Sequence, residues 1–131
     1  MRRLSIICFG LLVLLGGCQT MPSSDSAVPS GAVYHFVAIW LKNPEDESAR
    51  AAIAEKCVLW RSYPGVRSVT FGQGLPGGRS IVQDYDMGIL MVFKSEAALR
   101  KYEQDPAHKE AVKTVLAPVA AKVQVYDFKV E

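Results

Sequence analysis

Residues 33–41 read VYHFVAIWL, and this stretch decides how the rest of the chain is read. It is rich in β-branched and aromatic residues, which favour a pleated strand. Both faces of such a strand are apolar, so both need a cover. His35 is the one residue inside the run whose side chain ordinarily titrates near neutral pH.

Outward from this strand, toward the C-terminus, Asn43-Pro44 reads as a helix start. It offers a capping Asn, Pro at the first helical position, and Glu45, Asp46 and Glu47 near the positive end. Ala49, Ala52, Ile53, Lys56, Cys57 and Trp60 follow at helical spacing, which predicts a helix ending near Tyr63, before Pro64-Gly65. Residues 66–72 alternate and read as a second strand. Residues 73–80 hold three Gly and a Pro and read as a loop. Residues 85–93 (YDMGILMVF) read as a third strand. Ser95 caps a helix over 96–103, and Asp105-Pro106 starts another over 107–116, with His108, Val112 and Val115 or Leu116 along one face. Residues 123–130 (VQVYDFKV) read as the last strand.

The order is β-α-β-β-α-β with an extra helix before the last strand. This predicts an α+β, ferredoxin-like single domain, with one antiparallel sheet and helices on one face. The other face of the sheet is left open and apolar. An open apolar face of that size marks an association surface, and a homodimer that stacks two sheets closes it.

Toward the N-terminus the reading changes from fold to address. Arg2 and Arg3 precede an apolar run over 4–15, then Gly16, Gly17 and Cys18. This is the layout of a secretory signal, too short at ~12 apolar residues for a spanning helix, which needs ~20. Leu15-Gly16-Gly17-Cys18 resembles the bacterial lipobox. The resemblance implies a signal peptide over 1–17 and a lipidated Cys18 as the new N-terminus, anchored in a membrane. Gln19 after the cysteine, where Asp would signal retention in the inner membrane, implies an outer-membrane lipoprotein facing the periplasm. Residues 18–32 then form a Pro- and Ser-containing tether with a reach of ~20 Å, and the folded body spans 33–131.

The chain has 131 residues, 15 Lys+Arg and 13 Asp+Glu. Removing Arg2 and Arg3 from the 15 leaves 13 basic against 13 acidic residues. No basic stripe is visible, which argues against a nucleic-acid partner. Of the three Cys, Cys8 lies in the signal and Cys18 takes the lipid. Cys57 is left without an internal bridge, as a small buried hydrophobe, a reactive thiol or a partner in an intermolecular disulfide.

The body resembles the stress-responsive α/β-barrel family, the Dabb domains. The resemblance is carried by Tyr34 to Lys42 on the first strand, Pro64-Gly65-Val66, Asp84-Tyr85-Asp86 and the run from Phe93 to Leu99. Tyr102 with Asp105-Pro106-Ala107-His108, and Tyr126-Asp127-Phe128, complete it. The ordered set is specific, although no single piece is. The resemblance implies a dimeric α/β-barrel with a cavity between sheet and helices. Most members have no assigned reaction. One plant relative closes a polyketide chain with a Tyr and a His in the stretch matching Tyr102 to His108, and has a His of its first strand near the pocket. Here Tyr102, His108 and His35 occupy those positions. Asp105 stands where the family often has His, adding a carboxylate near the pocket rim.

Two readings stay open for each of these residues. His35 is a buried, hydrogen-bonded residue of the sheet or a ligand contact. His108 packs under Tyr102 or serves as a general base, with Tyr102 donating to a developing oxyanion. A metal set of His35, Asp105 and His108 is weighed and set aside, because Asp105 fits better as a helix cap. No cofactor is expected. The glycines around Arg79 lack the Lys-Ser/Thr of a phosphate loop. Trp40 and Trp60 fit core or dimer interface better than a ligand site. The leading expectation is a membrane-tethered envelope lipoprotein binding a small apolar molecule without catalysis, through His35, Tyr102, Asp105 and His108. The alternatives are a cofactor-free cyclase, lyase or oxygenase using His108 and Tyr102, and a structural or partner-binding lipoprotein with a filled interior.

Overall fold

The computed structural model describes residues 28–75 and 84–131. The signal, Cys18 and most of the tether therefore lie outside the described residues, as does Arg79. Four strands form one antiparallel sheet in the order β2-β3-β1-β4. They are β1 (Val33–Leu41), β2 (Val66–Gln73), β3 (Met87–Phe93) and β4 (Ala120–Lys129). The sheet carries α1 (Glu47–Trp60), α2 (Glu96–Gln104), α3 (Pro106–Ala111), a π-helical turn (Val112–Leu116) and the short α4 (Ala117–Val119). This is the expected ferredoxin-like α+β fold.

The period of two sorts β1 into two sides. Val33, His35, Val37, Ile39 and Leu41 are buried and belong, His35 apart, to the main apolar cluster. That cluster includes Met87, Met91 and Phe93 of β3, Ile53 and Cys57 of α1, and Leu99 and Tyr102 of α2. Tyr34, Phe36 and Trp40 point the other way. On that outer side Tyr34 stacks on Phe128 with ring centroids 4.8 Å apart, and Phe36 lies 6.4 Å from Tyr126. Lys122 sits over the Trp40 ring at 4.4 Å. Tyr126 and Phe128 remain 53% and 57% exposed.

Several boundaries differ from those expected. Asn43-Pro44 does not start α1. The Asn43 side chain accepts from the Glu45 amide at 3.1 Å and closes a local turn instead. Asp46 is the cap, accepting from the Ala49 amide at 2.9 Å. A charged acceptor there also suits the positive end of the helix. The helix ends at Trp60 rather than near Tyr63, because Pro64 has no N–H with which to continue it. Gly65 then turns with φ +94°, and a Cβ there would stand 2.7 Å from the Cβ of Ala98 on α2. A side chain at this position would both strain the backbone and collide.

Residues 85 and 86 lie before β3 rather than in it. The Asp86 carboxylate accepts from the Leu41 amide at 2.7 Å and closes the end of β1. Gln73, read as the start of a loop, belongs to β2. The single helix expected over 107–116 is broken. It passes from α3 into the π turn, whose closing bond runs from the Ala117 amide to the Val112 carbonyl. Pro118 accounts for the break, since its ring would collide with the Thr114 carbonyl in a continuing α-helix. Lys42 caps the end of α4 by donating to the Pro118 carbonyl at 2.7 Å. β4 begins three residues earlier than expected, at Ala120, because β1 continues to pair with it past an irregularity at Trp40/Leu41.

Candidate functional site

The helices cover the inner side of the sheet without filling it. A cavity of about 440 Å³ remains between sheet and helices. The sheet contributes His35, Val37, Ile89, Met91, Val123, Val125 and Asp127 to its wall. Ile53, Lys56, Cys57 and Trp60 come from α1, and Tyr102 and Glu103 from α2. His108, Ala111, Val112, Val115 and Leu116 close it from α3 and the π turn. Val112, Val123 and Val125 are exposed, so the cavity opens between the π turn and the edge strand β4.

Three of the four expected contact residues meet here. His35 and Tyr102 are only 6% and 5% exposed. His35 lies directly opposite Asp127 in the β1–β4 register, and its Nδ1–H donates to the Asp127 carboxylate at 2.7 Å. In the neutral ring that bond places the proton on Nδ1 and leaves a lone pair on Nε2. Tyr102 sits among Phe93, Trp60, Tyr63 and His35, with ring centroids 5.1–6.3 Å away. Its hydroxyl makes no hydrogen bond among the described residues. Burial pushes this hydroxyl well above the usual phenol range, so it stays protonated and acts as a donor.

His108 lies against Tyr102 with ring centroids 4.2 Å apart. Residues six apart on one straight helix point to different sides, so this contact depends on the break between α2 and α3. Asp105 makes the break. It leaves the helix with ψ 128° and caps α3 by accepting from the Ala107 amide at 2.8 Å. Its other carboxylate oxygen accepts from the Tyr63 hydroxyl at 3.0 Å. These bonds hold its carboxyl below the usual range, the Ala107 amide chiefly. Asp105 therefore does not line the cavity, contrary to its expected place among the ligand contacts. Its carboxylate is consumed in positioning His108 and Tyr63.

Burial lowers the pKa of His108 below the ordinary 6.5, so the ring is neutral at pH 7. Its Nδ1 is buried without a hydrogen-bond partner among the described residues. Cys57 also lines the cavity, but burial pushes its thiol up to about 11. It is a protonated, poorly nucleophilic packing group rather than a reactive one. Among the described residues no three His, Cys, Asp or Glu side chains form a group suited to a metal ion.

The residue-level reading missed Asp127, Lys56, Glu103 and Trp60. Asp127 was legible only through its register opposite His35, which the sequence does not state. Trp60, expected in core or interface, instead forms a wall of the cavity beside Tyr102. The assembled site joins a buried hydroxyl donor, an imidazole lone pair fixed by a carboxylate, and a neutral second imidazole, all in apolar surroundings. Such a set can grip a carbonyl or hydroxyl oxygen and can move a proton beside it.

Known proteins share this fold. A dimeric ferredoxin-like protein of unknown function from Jannaschia sp. CCS1 is 26% identical, with a TM-score of 0.62 over 76% of this chain and 100% of its own. The hydroxynitrile lyase of Passiflora edulis is 19% identical, with a TM-score of 0.67 over 79% of this chain and 96% of its own. A cofactor-independent oxygenase from Streptomyces nogalater is 14% identical, with a TM-score of 0.59 over 78% of this chain and 95% of its own. No curated protein matches the chain significantly. The model of the stress responsive A/B barrel domain, Dabb, matches residues 33–130, and the chain belongs to that family.

Proposed function

We propose that this domain binds a small, largely apolar molecule bearing a carbonyl or hydroxyl group. The observation that carries the reading is the pair of polar side chains on the cavity wall, Tyr102 and His35. Both are more than nine-tenths buried, and neither the Tyr102 hydroxyl nor His35 Nε2 has a protein partner among the described residues. On the same wall His108 Nδ1 is buried without a partner among the described residues, and a buried polar group left unpaired costs about 1–3 kcal/mol, which a ligand polar group recovers. The Ile, Val, Leu and Met side chains around it suit an apolar body. A cavity of about 440 Å³ gives no support to a filled, purely structural interior.

The domain works as a homodimer closed over the aromatic outer side of the sheet, as the dimeric relative suggests. It hangs from the outer membrane, on the periplasmic side, by a lipidated Cys18. Labelled palmitate should enter the wild type and not Cys18→Ser. Calorimetry with 2-decanone tests the binding reading. The wild type should bind it, and Tyr102→Phe should bind it about tenfold more weakly with the fold intact. Equal affinity in the two proteins contradicts the reading.

The His35–Asp127 pair favours a second reading, a cofactor-free enzyme of proton transfer. Simple binding does not require an imidazole held so tightly by a carboxylate. Here His35 Nε2 takes a proton from the carbon beside a carbonyl, the C–H pair moves into an enolate, and Tyr102 donates to its oxygen. Asp127 stabilises the imidazolium, which exchanges its proton with solvent and returns one to the carbon as the enolate collapses. The lyase and oxygenase among the relatives show that proteins of this fold carry out reactions. Deuterium exchange at the carbons flanking the carbonyl of 2-decanone, followed by NMR, separates the readings. Exchange accelerated by the wild type and abolished in His35→Gln establishes the enzyme, and unaccelerated exchange with retained binding leaves the binding module.

A further inference from the structure

We propose that the cavity takes an anionic ligand, an apolar molecule carrying a carboxylate, and that Lys56 binds the carboxylate. This rests on the binding reading above and specifies its ligand class.

The argument begins with charge pairing along the cavity wall. Two ion pairs involve its ionisable residues. Asp127 is bound to His35 at 2.7 Å, and Glu103 is bound to Arg100 at 2.9 Å, outside the cavity. Both carboxylates of the wall are therefore engaged. Lys56, also on the wall and half-buried, makes no ion pair or hydrogen bond among the described residues.

The sequence explains why. Helix neighbours that can pair with Lys56 stand three and four residues away. They are Ala52, Ile53, Leu59 and Trp60, none of them acidic. Glu55 is adjacent in sequence, a spacing that does not face Lys56 on a helix. Among the described residues Lys56 thus stands on the Ile53–Trp60 side of the helix as a cation without a counter-ion, on a wall that is otherwise mostly apolar. A long Lys stem can lie along apolar surface with its ammonium group in water, and this is the competing explanation. The ligand reading adds that Lys56 lines the same cavity as Trp60 and Tyr102. One ligand spanning this cavity can set a carboxylate at Lys56 and a carbonyl at Tyr102. A charge-assisted hydrogen bond in apolar surroundings is stronger than a neutral one, so it discriminates between an acid and its ester.

The test uses the full chain and two probes, 4-oxodecanoate and its methyl ester, measured by calorimetry. The acid should bind the wild type about tenfold more tightly than the ester. Lys56→Met keeps the apolar stem and should erase the preference, while Lys56→Arg should retain it. Tyr102→Phe should weaken acid and ester alike, because it removes the contact to the carbonyl they share. Equal affinity of acid and ester in the wild type, or a preference that survives in Lys56→Met, overturns the assignment of Lys56 and leaves the binding reading standing. Failure of both probes to bind the wild type, with 2-decanone also unbound, overturns the binding reading and this assignment together.

Discussion

The two sides of the sheet begin from one alternating pattern and end in different chemistry. The outer side of β1 presents Tyr34, Phe36 and Trp40, and β4 continues it with Tyr126 and Phe128. Its partners are rings stacked on rings, with Lys122 over Trp40. The inner side presents His35 between Val33 and Val37, opposite Asp127, beneath helices that leave a cavity. One side offers shape and apolar area, which suits a second copy of the sheet. The other offers unpartnered polar atoms in an enclosed space, which suits a small molecule. On the proposed reading, association and ligand binding fall on alternate residues of the same strands, so substitutions can separate them.

The largest expected effect lies in the inner core. Phe93 is fully buried against Tyr102 and His35. Phe93→Ala should cost about 3–5 kcal/mol in a urea titration and disturb the site with it. On the outer side Phe128→Lys should leave the fold intact and weaken dimerisation about a hundredfold, since a two-fold interface carries the substitution twice. Sedimentation of the variant at micromolar concentration should show a monomer. A dimer as tight as the wild type would contradict the division between the two sides.

Asp127→Ala should cost about 1–2 kcal/mol and weaken ligand binding, because it leaves the buried His35 Nδ1–H without its acceptor. Dimerisation should not change. The smallest effect is a pH dependence. His108 is held neutral by burial, with its pKa below the ordinary 6.5. The unfolded chain therefore binds a proton more readily at this residue than the folded one. Stability is fully present above about pH 6.5 and falls as the pH drops through that value toward the lower folded pKa. His108→Gln should flatten this part of the stability curve between pH 7 and pH 5. An unchanged curve would mean that His108 is not held neutral.

Much of the fold was legible from local signals. The apolar runs gave β1 and β3, and Ser95 and Asp105-Pro106 gave the starts of α2 and α3. Local signals misled where two acceptors competed. Asn43 and Asp46 both suit a cap, and the carboxylate took the helix while the amide took the turn. The spacing of His108, Val112, Val115 and Leu116 correctly predicted a common face, since all four line the cavity. It did not reveal the π turn that Pro118 imposes between them. Within the site, Tyr102, His108 and His35 were found through family resemblance. Asp127 was not, because its role depends on a pairing between strands 92 residues apart in sequence. Asp105 was assigned to the ligand, although its capping geometry already used its oxygens. Lys56 was read as one member of a helical stripe. Its significance comes from the engagement of Glu103 and Asp127 elsewhere, which only the folded chain displays.

Native mass spectrometry of the protein purified from its own host tests the central claim most directly. The account predicts a dimer carrying a co-purified small molecule, retained by Phe128→Lys as a loaded monomer and lost in Tyr102→Phe. A dimer free of any small molecule that also takes up neither 2-decanone nor 4-oxodecanoate would contradict it.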